Sequence, residues 1–110
     1  MADLSELTLI TRLNTHLNGL LMALDTDIIG KETAKAISAI KRTSADARLD
    51  IRDYEMADSR TEMQRHARTA VKRLEELRRH ILKASESGIF GAVDVAVLSA
   101  EVDEIAARLG

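Results

Sequence analysis

Residues 59–87 read SRTEMQRHARTAVKRLEELRRHILKASES, and how this stretch folds decides how the chain folds. Its apolar residues Met63, Ala67, Ala70, Leu74, Leu77, Ile81 and Ala84 recur at alternating steps of four and three. That spacing marks one seam of an amphipathic helix. Ser59 and Glu62 have the spacing of a capping box at its start. Ser87-Gly88 is a stop signal at its end, and Ile89 is placed to make the hydrophobic contact that follows such a stop. Opposite the seam, Arg65, Arg68, Lys72, Arg79 and Lys83 fall within about 60° of one another on the helix surface. One stretch therefore carries both a core face and a basic stripe.

Working back from Ser59, the residues Ile37, Ile40, Ser44, Ala47, Ile51 and Tyr54 form a second seam, weakened by Ser44. It belongs to a helix that starts near Lys31. No Pro or Gly separates Lys31 from Ser87, so one continuous helix of about 84 Å is the alternative. Two features favour a break near Ser59. The segment Met56-Ala-Asp-Ser-Arg-Thr-Glu62 is polar. The step from Tyr54 to Met63 turns the seam by about 180°, so a continuous helix would carry its two stripes on different faces. Leu49 and Met56, in phase with the later seam, point the other way.

Further back, Leu7, Ile10, Leu13, Leu17, Leu20, Leu24 and Ile28 form the seam of a first helix from about Leu4 to Ile28, widened by Leu9, Leu21 and Met22. A stripe this wide is either central in a bundle or shared with a second chain. Gly30 is expected to close this helix as a left-handed C′ residue. Gly19, mid-helix, is expected to mark a close helix crossing. Past Gly88, the apolar link Ile89-Phe90-Gly91 leads to a short helix from an N-cap at Asp94 to Leu109, with Val95, Leu98, Val102, Ile105 and Leu109 as its seam.

The expected fold is thus all-α. It is an up-and-down bundle of three long helices and a short C-terminal one in a single domain, 1–110, with fusion of helices 2 and 3 as the alternative. With 110 residues and Tyr54 and Phe90 as its only aromatics, the chain has a modest aliphatic core. An oligomer is expected on that ground. There is no Cys to form a disulfide or a thiolate metal site. The start is acidic, without a basic signal region, and the uncharged run Leu13–Leu24 is too short to span a bilayer. A cytoplasmic location and no membrane partner are expected.

The net charge of −2 is uneven. Residues 1–30 carry −3, 31–57 carry +1, 58–83 carry +4 and 84–110 carry −4. The basic stripe has three readings. It is a phosphate-tracking surface for nucleic acid; or a solvated face with internal pairs such as Glu75–Arg79; or a face covered by the acidic ends of the chain. The solvated face is preferred, because the chain is slightly acidic and no aromatic lies near to stack on bases.

Glu62/His66 and Glu76/His80 are i,i+4 pairs on one flank, read as ordinary helix pairs. Di-iron carboxylate bundles use Glu-x-x-His with further inward glutamates, a spacing this chain lacks. Histidine phosphotransfer domains are bundles of similar length with a Lys-Gly step after an exposed His. After His16 stand Leu17 and Asn18, and Gly19 comes one position early. His66-Ala-Arg-Thr lacks the acidic residue and the Pro of a histidine-kinase dimerisation box. All-helical chorismate mutases rely on buried Arg, Lys and Glu, and Arg12 is the only basic residue of the first helix. No catalytic residue, metal ligand or cofactor is therefore assigned. The expected function is a non-enzymatic protein–protein interaction module, an adaptor or subunit of a larger assembly. It would self-associate through the apolar face Leu9, Leu13, Leu17, Leu20, Leu21 and Leu24. Nucleic-acid binding by the basic stripe ranks second.

Overall fold

Two extended residues, Ala57 (φ −64°, ψ 137°) and Ser59 (φ −134°, ψ 157°), separate the second and third helices. The Ser59 side-chain oxygen accepts a hydrogen bond from the Glu62 backbone N–H at 3.2 Å. That bond satisfies one of the donors a helix start leaves orphaned. The break therefore stands where the two seams lose register, and the single long helix is ruled out. The structure, a computed structural model, describes residues 5–22 and 30–110. Its elements are α1 (Glu6–Met22), α2 (Lys31–Met56), α3 (Arg60–Glu86) and α4 (Ala92–Leu109).

The helices follow one another around a ring: α2 packs on α3, α3 on α4, and α1 closes against both α2 and α4. Neighbours run antiparallel. The Leu7 N–H at the start of α1 donates to Glu55 Oε1 at the end of α2, at 3.1 Å. This is the expected up-and-down bundle. At 26 and 27 residues, α2 and α3 outreach the 18-residue α4. Opposite the start of α3, the α4 side is therefore left open.

The seams meet in one core. Ile10, Leu13, Leu17, Ile40, Ile51, Leu74, Leu77, Ile81, Leu98, Val102 and Ile105 are its large side chains, each almost wholly buried. Complete burial of one Leu or Ile contributes about 2 kcal/mol, so this aliphatic set, and not the two aromatics, holds the fold. Met63 is the exception in its seam. It is 37% exposed, because it lies in the part of α3 that α4 does not reach. Ser44 is buried where the α2 seam looked interrupted. Its hydroxyl donates to the Lys41 carbonyl at 3.0 Å, and its own carbonyl accepts from Asn14 Nδ2 on α1 at 3.3 Å. The polar residue is satisfied in place and does not break the face.

α3 ends as its Ser-Gly signal implies. Gly88 has φ +80°. Its N–H donates to the Ser85 carbonyl at 3.0 Å, and the Ile89 N–H donates to the Ala84 carbonyl at 3.2 Å. This is a Schellman motif, and the left-handed residue it needs is glycine. Phe90 then turns into the core. Three expectations are corrected. Gly30 is the extended N-cap of α2 (φ −72°, ψ 168°), not a left-handed helix stop. The N-cap of α4 is Gly91, which places Asp94 in the first turn. A Cβ on Gly19 would meet nothing within 4 Å, so none of the described helices crosses closely there. Leu4, Leu24 and Ile28 lie outside the described residues.

Candidate functional site

The rotation of α3 is set by Leu74, Leu77 and Ile81, all fully buried. Its two flanks are pinned by charge. On the α2 side, Arg73 Nε lies 3.5 Å from Asp50 Oδ2, and Arg73 Nη1 lies 3.8 Å from Glu76 Oε2. On the α4 side, Arg78 Nη1 lies 3.6 Å from Asp103 Oδ1. With core and flanks fixed, Arg65, Arg68, Lys72, Arg79 and Lys83 face outward together, and all five are exposed.

None of the five has a carboxylate within ion-pairing distance among the described residues. The Glu75–Arg79 pair expected along the helix does not form. Nor do the described acids of the chain ends cover the stripe. On α4, Glu101 turns to His16, Asp103 to Arg78 and Glu104 to Arg108. Beside the stripe, where α4 ends, lies an open groove of about 850 Å³. It is lined by Gln64, Arg65, Arg68, Val71, Lys72 and Glu75 from α3, and by Leu109 and Gly110. Five cations on one helix face, with no carboxylate partner among the described residues, can bind oxyanions. Three are arginines, whose planar forks suit phosphate and carboxylate.

The other candidates are placed differently. In α1, Leu13, Leu17 and Leu21 are buried in the chain's own core, while Leu9 and Leu20 are half-buried against it. Leu24 lies outside the described residues. Glu62/His66 and Glu76/His80 form no ion pair with each other, and Glu76 turns to Arg73 instead. Among the described residues no three His, Asp or Glu side chains converge on a metal position. None of the described helices is long and apolar enough to cross a membrane.

Two polar contacts escaped the sequence reading. His16 Nδ1 lies 3.2 Å from Glu101 Oε1 in a cleft of about 340 Å³ between α1 and α4. Asp50 sits under Arg73. Burial raises its carboxyl above the ordinary 3.8, Arg73 draws it back, and Asp46 and Asp53 push it up further. Asp50 directly precedes the core residue Ile51 and so stands on the flank of the α2 seam, which was the available signal. No family model, curated protein or solved structure matches the chain.

Proposed function

We propose that the chain is a non-enzymatic helical interaction module, a subunit or adaptor in a larger assembly, whose working surface is the outward face of α3. Its partner is an anionic macromolecule. One observation carries this reading. The five stripe cations are exposed with no carboxylate partner among the described residues, while the neighbouring arginines Arg73 and Arg78 are both paired across helix interfaces. A face kept only for solubility is usually laced with internal pairs of both signs. This face has the spacing for several such pairs, Glu75 with Lys72 or Arg79 and Glu86 with Lys83, and forms none of them.

Binding of the whole chain to labelled polyanions at low salt tests the reading. Duplex DNA, heparin and polyglutamate are suitable probes. Binding to at least one, abolished when Arg65, Arg68 and Lys72 are changed together to Gln, is the expected result. No binding to any of them would refute it.

Self-association through α1 is the second reading. It is supported by Leu9 and Leu20, which stay half-buried at the rim of the core. The sedimentation mass of the pure protein tests it. A monomer would leave those two leucines as the ordinary edge of a bundle.

A further inference from the structure

The five cations form two groups. Arg65, Arg68 and Lys72 span about 10 Å of the α3 axis, and Arg79 and Lys83 span about 6 Å. Between Lys72 and Arg79 lies a gap of about 10 Å, at the rise of an ordinary helix. Glu75 stands in that gap and lines the same groove as the first group.

We infer that the partner of this face is duplex DNA, bound through the phosphates on both sides of one groove without reading sequence. This rests on the outward face of α3 being the working surface. The major groove of B-form DNA is about 12 Å wide. A helix laid across it sets one cationic group on each backbone. Glu75 then lies over the open groove, away from the phosphates of either strand, and Glu86, the last residue of α3, lies one turn beyond Lys83 at the outer end of the second group.

Three observations favour DNA over other polyanions. The stripe itself contains no apolar residue. The exposed large apolar residues of α3 are Met63, on the core seam, and Leu82, a single leucine at the stripe's edge one turn from Arg79. Protein interfaces draw their binding energy from desolvated apolar and aromatic anchors, whereas phosphate binding needs none. The only aromatics are Tyr54 and Phe90. Phe90 is buried and Tyr54 packs against the core, so neither offers a platform on which single-stranded bases could stack. From Ala67 to Ala84 the apolar face of α3 is closed inside the bundle, so the helix cannot lie in a membrane interface as amphipathic lipid-binding helices do.

The test is fluorescence anisotropy of a short labelled duplex across a range of salt, with the unmodified chain and two variants. One variant carries Arg65→Gln, Arg68→Gln and Lys72→Gln; the other carries Arg79→Gln and Lys83→Gln. Five neutralised phosphates give a slope of about −4.5 in log K against log salt. The variants are expected to be shallower by about three and about two, one for each cation removed. Duplexes of different sequence should bind alike, and a single strand of equal length more weakly. A single strand bound as tightly as the duplex would overturn the inference, as would slopes unchanged in both variants. Tighter binding to phosphatidylserine vesicles would do the same. Polyglutamate bound by the unmodified chain and not by the variants, with no duplex binding, would overturn DNA as partner and leave the anionic-partner reading standing. No binding to any polyanion at low salt would end both.

Discussion

Arg73 Nε lies 3.5 Å from Asp50 Oδ2, and both atoms are buried without a hydrogen-bond partner among the described residues. This is a loose ion pair across the α2–α3 seam. The distance exceeds that of a good charge-assisted hydrogen bond, so the pair does not fully offset the desolvation of the carboxylate. The raised pKa of Asp50 is consistent with that, since burial is its largest cause.

The first prediction concerns pH. With its folded pKa above the unfolded value, the Asp50 carboxyl holds its proton more tightly when folded. As pH rises from the unfolded pKa through the folded one, the unfolded chain releases its proton first and stability falls. Above that window the loss is constant. Asp50→Asn removes this fall. Urea midpoints compared at acid and at neutral pH should show the variant gaining on the unmodified protein as pH rises. A difference that does not vary with pH would show that the carboxyl is not raised.

The second prediction concerns the turn. Ser59 caps α3 through its side-chain oxygen. Ser59→Ala should lower unfolding free energy by about 1 kcal/mol, and Ser59→Asp should retain most of the stability. Urea unfolding followed by circular dichroism measures both. Equal stability of all three would mean that the cap does not contribute.

The third concerns the α3 seam. Leu77→Ala should cost about 2–5 kcal/mol, the range for a fully buried leucine. Met63→Ala should cost much less, because Met63 is 37% exposed. Equal losses at the two positions would mean that something covers the open start of α3 in solution.

These positions also show what was legible in the sequence. The seam from Ala67 to Ala84, the cap at Ser59 and the stop at Gly88 depend on local periodicity and backbone chemistry, and they read directly. The exposure of Met63 depends on how far α4 reaches, which no local pattern encodes. Ser44 looked like a fault because its hydroxyl partner, the Lys41 carbonyl, lies on its own helix and appears only once the helix forms. Both Gly30 and Gly91 cap the starts of helices, a role that glycine shares with its commoner place after a helix end. The five stripe cations were legible as a face. That they lack partners among the described residues was not, because pairing depends on helix rotation and register. Arg73 and Arg78 look the same in sequence and are paired. The His16–Glu101 pair joins residues far apart in the chain, and only the antiparallel closure of α1 on α4 brings them together.

The most direct measurement of the central claim is an amide chemical-shift titration of the labelled protein with a short duplex at low salt. The predicted result is a set of shifts concentrated along the outward face of α3, around Arg65, Arg68, Lys72, Arg79 and Lys83, and reversed by added salt. Shifts centred on α1 or on the α1–α4 cleft, or no shifts at all, would contradict it.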